Sequence, residues 1–397
     1  MGRLDDCYNI ADLRLAARKR LPKGIFEFID LGVEDNIAIR NNIEAFQRLK
    51  LHNQVLVNLD DVSTATTLFG KPSSMPMAIS PTGMAGLCWY QGELELAKAA
   101  AKAGIPVTLA TGSVTPLEKL ALDAGGRLWF QVVLWKDRSL TYGQVARARD
   151  AGFEALVVTV DSGISSNREQ AKRNDFRAPY RFTRRNVPDL LRHPGWLLQV
   201  MGRYMMNTGI PRHVNYPEGY QRSILAAMGK TKVLHAMQGK DVTWDDIARL
   251  RDIWPRTLIV KGILHPDDAI KAVENGADGI VVSNHGGRHM DCAVATIDTV
   301  AEIVAAVGDR TTVILDSGVR RGSDIVKALG RGVSAVMSGR CTLYGVAVGG
   351  EAGAYHALQL LKEEYRQTLG YVGCLNAGEI ERDVFPPPAA PVAAALN

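Results

Sequence analysis

LIVKGILHPDDAIKAVENGADGIVVSNHGG, residues 258 to 287, contains two apolar runs separated by an amphipathic stretch. The runs LIVKGIL and GIVVSNHGG are nearly continuous in apolar residues, the pattern of parallel strands covered on both faces. HPDDAIKAVENGA between them has helical spacing, and a glycine follows where the helix should stop. The same alternation begins with MAISPTG at 77 and continues through VTLAT at 107, LWFQVV at 128 and ALVVTVD at 155. It resumes with the quoted unit and ends with TVILDSGV at 312 and AVMSGR at 335. Eight strand–helix units predict a (β/α)8 TIM barrel rather than an open sheet.

The remaining chain fits around that barrel as one domain. Residues 1–76 carry the helical pattern LRLAARKRLPKGIFEFIDLG and are expected to form an N-terminal helical cap. The barrel is assigned to 77–384, with a long insertion at 162–240 after strand 4, and FPPPAAPVAAALN at 385–397 reads as an irregular tail. The 397 residues are 46% hydrophobic and 22% charged, an ordinary globular composition with enough apolar residues for a large core. No run of eighteen apolar residues and no leader-like N-terminus is apparent, so a cytoplasmic address is expected. The five cysteines are widely spaced and form no CxxC pair; neither a disulfide framework nor a metal site is expected. The formal charge of +5 is unevenly distributed: residues 162–240 hold 14 Lys and Arg against 4 Asp and Glu. Such a segment suits an anionic surface, and its bland alternative is a solvated loop.

In a barrel of this kind the active site lies where the strands end, so the residues at which each apolar run stops are the candidates. Strand one stops at Pro81, Thr82 and Gly83, strand three carries Gln131, and strand four ends in Thr159 and Asp161. Strand five holds Lys261, an expensive residue to bury unless it faces an anion or a cofactor. Strand six ends in Asn284, His285 and Arg288. Strands seven and eight end in glycine and arginine: Asp316, Gly318, Arg320 and Arg321, then Gly339 and Arg340. Glycines leading into helix starts let backbone N–H groups approach a phosphate, and arginines add bidentate bonds. The whole describes a barrel holding a phosphorylated ring cofactor.

IVKG at 259–262, SNHGGRHMD at 283–291 and DSGVRRGSDIVKAL at 316–329 resemble the FMN-dependent L-2-hydroxy acid oxidising family. The likeness runs from RLPKGIFEFIDLGVED to SGRCTLYGVAVGGEAG, and PTG at 81, DCA at 291 and DSG at 316 are similar to its mandelate dehydrogenase branch. The resemblance implies FMN as cofactor, a small 2-hydroxy acid as substrate and quinone or oxygen as electron acceptor. It implies His285 as the base, supported by Asp161, with Arg288 and Arg168 on the substrate carboxylate. Lys261, Gln131 and Thr159 would face the flavin ring, and Pro81, Thr82 and Gly83 would run along it. Asp316, Gly318, Arg320, Gly339 and Arg340 would hold the phosphate tail. A homotetramer is the family precedent, and no nucleic-acid partner is expected.

The chain departs from the family pattern at three positions. Phe28 and Val133 stand where the family commonly presents tyrosine hydroxyls to the substrate, and Ala110 replaces a flavin-facing serine. Lost polarity and added room favour a bulky or aromatic substrate. Two other readings compete: a flavin oxidase of the same fold acting on a peptide-derived group, and an FMN-binding protein without activity. Retention of Arg168 and Arg288 counts against the first, and of Lys261, His285 and Asp161 against the second. The basic insertion, with the apolar patch of 196–206, implies peripheral membrane contact through 177–215.

Overall fold

The computed structural model describes residues 4–176, 183–221, 223, 239–380 and 384–386. The remainder of the insertion and the tail from residue 387, with Arg177 and Arg181 among the insertion's expected basic residues, lie outside the described residues.

The eight apolar runs form eight parallel strands: β1 (Met77–Ile79), β2 (Val107–Ala110), β3 (Leu128–Val132), β4 (Ala155–Thr159), β5 (Thr257–Ile263), β6 (Gly279–Val282), β7 (Thr312–Leu315) and β8 (Ala335–Ser338). They close into a barrel in chain order, with β8 pairing back onto β1. Three helices precede the barrel: α1 (Ile10–Arg20), α2 (Lys23–Asp30) and α3 (Ile37–Arg48). One principal helix follows each strand: α4 (Gly92–Ala103), α5 (Leu117–Asp123), α6 (Arg138–Asp150), α7 (Trp244–Ile253), α8 (Pro266–Glu274), α9 (Thr296–Val307), α10 (Gly322–Leu329) and α11 (Arg340–Tyr371). The architecture is the (β/α)8 barrel expected from the alternation.

Side-chain parity divides the strands between two cores. Outward residues pack against the helices, while Ala78, Trp129, Val157, Ile259, Val281 and Ile314 point inward and fill the barrel. Sequence alone missed how its lower end is closed. Residues 66–73, assigned above to a helical cap, form an antiparallel hairpin, Thr66–Leu68 with Lys71–Ser73. Leu68 belongs to the barrel-filling cluster and Phe69 meets Trp129 edge-on, with ring centroids 5.7 Å apart. Three-residue strands give too short an alternation to read from sequence.

The cap holds the opposite, C-terminal mouth. Arg14 of α1 makes a two-pronged pair with Asp30 at 2.5 and 2.6 Å, and Tyr344 of α11 donates to Asp30 at 2.7 Å. The last turn of α2 is thereby fixed against the helix that leaves β8.

α11 is interrupted at Gly349 and Gly350, and its two arms meet where Gly345 and Gly353 cross. A Cβ on Gly353 would lie 2.1 Å from the Gly345 carbonyl oxygen, backbone that no side-chain movement can relieve. We expect Gly353→Ala to cost about 1–3 kcal/mol of stability by overpacking. Gly143→Ala, within α6 and with nothing inside 4 Å, should instead hold or raise the melting temperature. Thermal unfolding of both variants checks the contrast, and an unchanged Tm for Gly353→Ala would contradict it.

Candidate active site

Toward the C-terminal mouth the inward positions turn polar. Thr159 on β4 is the register partner of Lys261 on β5, and Gln131 on β3 donates to Thr159 Oγ1 at 3.0 Å. Lys261 is only 3% exposed. Its Nζ donates to Ser283 Oγ at 2.6 Å and pairs with Asp316 Oδ2 at 2.8 Å, which offsets part of the desolvation penalty of the ammonium. At Gly262 the β5–β6 register shifts, with φ at +114°. A Cβ there would lie 2.8 Å from Asp161 Cβ, so glycine is what lets β5 pass beside that carboxylate.

The loop after β6 answers why a buried strand ends in His285 and Arg288. His285, Gly286 and Gly287 are all left-handed, with φ of 56°, 66° and 70°. For histidine this conformation is strained and must be imposed by its surroundings. Asn284 exchanges hydrogen bonds with Asn42 of α3 at 2.9 and 2.7 Å, and its Oδ1 also accepts from Gly287 N. Asp291 accepts from Asp35 N at 3.0 Å and Ala38 N at 3.1 Å at the start of α3. The loop is therefore tied to the cap at both ends, and the residues between turn toward the mouth.

His285 Nδ1 lies 3.0 and 3.1 Å from the two Asp161 oxygens. A carboxylate only accepts, so Nδ1 carries the hydrogen and Nε2 is left basic. Burial pushes the Asp161 carboxyl up, but the charge and hydrogen bond of His285, with Lys261 and His289, hold it well below the usual range. Burial lowers His285 against the pull of Asp161, with Lys261 and Arg288 adding to the lowering. The result is a neutral imidazole on an ionised carboxylate. His289 lies flat against His285, with centroids 4.0 Å apart and planes 18° apart. Asp161, His285 and His289 bring donor atoms within 4.8 Å, yet a cation in the plane of one stacked ring lies out of the plane of the other. A hydrogen-bonded cluster suits them better than a metal centre.

Positive charge surrounds this pair. Arg288 Nη1 donates to the Phe28 carbonyl at 2.5 Å and the Leu31 carbonyl at 3.2 Å. Arg340 donates to the carbonyls of Ile29, Gly286 and Leu31 at 3.0, 2.9 and 3.3 Å. Both thus grip the carbonyl-rich end of α2, where the helix dipole is negative. A Cβ on Gly286 would sit 2.6 Å from Arg340 Nη1 and displace that guanidinium, and its φ of 66° is one that side chains rarely adopt. The guanidiniums of Arg288 and Arg168 lie over the Phe28 ring at 4.8 and 5.6 Å from its centre. Among the described residues no carboxylate forms an ion pair with Arg168, Arg288, Arg320 or Arg340. Burial, then the charges of Arg168 and Arg340, pulls Arg288 well below its ordinary value, and burial followed by Arg320 brings Arg340 down to about 10. The cluster is short of negative charge.

One cavity gathers most of the residues singled out from sequence: Phe28, Pro81, Thr82, Gly83, Arg168, Lys261, His285, Arg288, Asp316, Gly318, Arg320, Gly339 and Arg340 all line it. Asp161 stands behind His285, and Gln131 and Thr159 are buried neighbours of Lys261 within the barrel wall. Val133 lines a different hollow, with Thr159, Val242, Trp244 and Ile263. Asp316, expected at the phosphate tail, faces Lys261. Before α10, Arg320 N and Arg321 N already donate to Asp324, and the first amide of α10, Gly322 N, donates to Glu364. The start of α11, beside Gly339 and the Arg320 and Arg340 side chains, is therefore the helix start that faces the cavity. This donor set fits a flat ring at the Lys261 end with an anionic tail at the Arg320–Arg340 end. Sequence reasoning missed Ser283, which links Lys261 to the His285 backbone, and His289. Ser283 could have been found from its inward parity; nothing in the sequence announces the ring stack.

A family-wide pattern described as FMN-dependent dehydrogenase matches residues 17–386. The chain is 37% identical over 376 residues to (S)-mandelate dehydrogenase of Pseudomonas putida, covering 95% of this chain and 93% of that one. It is 36% identical over 378 residues to L-lactate oxidase of Nostoc sp., covering 94% and 96%. A crystal structure of monotopic membrane protein (S)-mandelate dehydrogenase superposes with a TM-score of 0.89 at 37% identity, covering 96% of this chain and 99% of that one. With the barrel, the cation-lined cavity and these likenesses agreeing, the chain belongs to the family of FMN-dependent 2-hydroxy acid dehydrogenases and oxidases.

Proposed function

We propose that the protein oxidises an aryl or long-chain L-2-hydroxy acid to the 2-oxo acid at the cavity bounded by His285, Arg288 and Phe28. The observation that carries this reading is the pair of guanidiniums, Arg168 and Arg288, lying over one phenyl ring beside a neutral imidazole. Two desolvated cations without a carboxylate partner suit a substrate carboxylate, which brings bidentate hydrogen bonds and cancels their repulsion. Phe28, backed by Phe176 with ring centroids 5.6 Å apart, offers apolar surface where a tyrosine would offer a hydroxyl.

His285 takes the substrate proton at Nε2, and Asp161 keeps the ring oriented and stabilises the imidazolium that forms. FMN, when bound, accepts the two electrons released as the alcohol carbon becomes a carbonyl carbon. Lys261, with Gln131 and Thr159 behind it, would hold the polar edge of the ring, and Pro81, Thr82 and Gly83 would lie along it. Gly318, Arg320, Gly339 and Arg340 would hold the phosphate, while Asp316 keeps Lys261 in place. Val133 leaves space beside the mouth.

The insertion supports a membrane-surface location with quinone as acceptor. Trp196, Val200 and Tyr204, four residues apart, are buried, whereas Leu198, Met205 and Met206 are 71%, 59% and 77% exposed. Arg184, Arg185, Arg192 and Arg203 belong to the same segment. Exposed apolar side chains among arginines are what an interfacial segment presents to anionic lipid. No helix among the described residues is long and apolar enough to cross a membrane.

Two outcomes test these readings. FMN-loaded protein mixed anaerobically with hydroxy acids should lose its flavin absorbance, with a higher kcat/KM for mandelate-like acids than for lactate. Extra apolar contact is worth about 1–3 kcal/mol per well-fitted methylene. His285→Gln should retain FMN while reduction slows by roughly two or more orders of magnitude; faster turnover of lactate, or undiminished reduction in the variant, counts against the assignment. For the surface, sedimentation with vesicles of anionic phospholipid should recover the wild type in a salt-sensitive manner and leave a variant with 177–215 replaced by a short linker in the supernatant. Equal recovery of both in the supernatant at low salt removes the membrane reading.

A further inference from the structure

The reaction proposed above leaves His289 without a task, yet it touches the catalytic pair more closely than any other side chain outside it. Its Nδ1 is 2.7 Å from the Asp161 carbonyl oxygen and 3.8 Å from Asp161 Oδ1, and its ring covers His285. A carbonyl oxygen only accepts, so His289 Nδ1 carries its hydrogen. Asp161 is consequently held at the carboxylate by His285, with Ser162 Oγ donating to Oδ1 at 3.3 Å, and at the main chain by His289.

We propose that His289 is a positioning residue for the base: it anchors the Asp161 backbone through Nδ1–H and clamps the His285 ring so that Nδ1 stays on Asp161 and Nε2 stays open to substrate. This rests on the reading of His285 as the base. The clamp has a geometric reason. His285 sits on a left-handed backbone followed by two glycines, a stretch with little side-chain packing of its own, and a parallel ring at 4.0 Å blocks rotation about χ2 on that face. Neutrality has a reason too. A second cation stacked on His285 would oppose formation of the imidazolium, whereas an uncharged π-face accepts it. The charged groups around the stack are Asp161 from the end of β4, Lys261 from β5, Arg288 from the same loop and Arg168 from the insertion. Burial, then the charge of His285, brings His289 down to about 4, with Arg168 acting in the same direction and Asp161 opposing. His289 thus stays neutral beside the base down to about pH 4.

The sign follows for stability. The folded value lies below the ordinary 6.5, so as pH falls below 6.5 the unfolded chain takes up a proton that the fold refuses. Folding stability is therefore lost between pH 6.5 and about 4, and His289→Ala should show a shallower loss of Tm over that window.

The experiment uses FMN-loaded protein and three variants. His289→Ala removes both contacts, His289→Asn keeps a donor near the Nδ1 position, and His289→Phe keeps the stack. We expect His289→Ala to slow flavin reduction about 10–100-fold, the range seen when an outer partner of a functional histidine is lost, without altering KM or FMN content. The acid limb of its pH profile should move to higher pH, because the uncovered His285 is better solvated and protonates more readily. Asn and Phe should each restore part of the rate. Long-range 1H–15N spectra of 15N-histidine protein without substrate supply a readout independent of turnover. His289 should titrate well below 6.5, and His285 should be a single Nδ1–H tautomer in wild type and a mixture in His289→Ala. If the wild type reduces its flavin with no hydroxy acid, the parent reading fails, but the spectra still decide the clamp. A single His285 tautomer in His289→Ala, an ordinary titration of His289, or an unshifted acid limb at the wild-type rate would overturn the inference. A loss of FMN and Tm in step with rate at every pH would overturn it as well, since that marks scaffolding alone.

Discussion

Unbalanced positive charge at the C-terminal mouth is the constraint around which the structure is arranged. Lys261 has Asp316, and the ring of His285 has Asp161, but Arg168, Arg288, Arg320 and Arg340 have carbonyl oxygens, a hydroxyl and a phenyl ring instead of carboxylates. Carbonyl dipoles solvate a guanidinium without neutralising it. The fold therefore tolerates these cations at a cost, and an anionic ligand recovers it. On the reading proposed above, the phosphate of the cofactor would answer Arg320 and Arg340, and the substrate carboxylate Arg168 and Arg288.

The cap explains how those cations are kept in place. Arg288 and Arg340 both end on the last turn of α2, and that turn is fixed from beneath by the Asp30–Arg14–Tyr344 cluster. A ligand that draws either arginine away from its carbonyls must compete with the negative end of the helix dipole. Both arginines thus end on one element, α2, which also supplies Phe28.

Much of this was legible in the sequence, and the reason is parity. Each inward strand position is an apolar filler until the mouth is reached, so Gln131, Thr159 and Lys261 are conspicuous as polar residues in phase with Trp129, Val157 and Ile259. The loops after β6, β7 and β8 carried strong local signals because glycine, histidine and arginine rarely follow an apolar run for packing reasons. Three features stayed hidden. The barrel-closing hairpin at 66–73 is too short to show alternation. The pairing of Asp316 with Lys261 depends on inter-strand register, which the single chain does not print. The stack of His285 on His289 arises because a left-handed turn folds residues four apart onto each other, where an extended loop would separate them.

On the proposed reading the departure at Phe28 shifts the burden of orienting the substrate, whereas Val133 lines a separate hollow. A tyrosine hydroxyl would fix the substrate carboxylate or alcohol by a hydrogen bond; a phenyl ring at 28 lies instead beneath the two guanidiniums proposed to do so. Orientation would then rest on the two arginines and on the His285–Asp161 pair, so the precision of that pair would matter more than where phenols share the task. The insertion reaches the same site from outside. Trp196 Nε1 donates to the Leu87 carbonyl at 2.7 Å and Tyr204 OH accepts from Gln91 N at 3.0 Å, both in the segment that follows Pro81–Gly83. The buried side of this insertion is thus hydrogen-bonded to the segment that follows the end of β1. On the proposed reading, a surface that engaged Leu198, Met205 and Met206 would lie on the side of the barrel where the insertion packs against the segment after Pro81–Gly83.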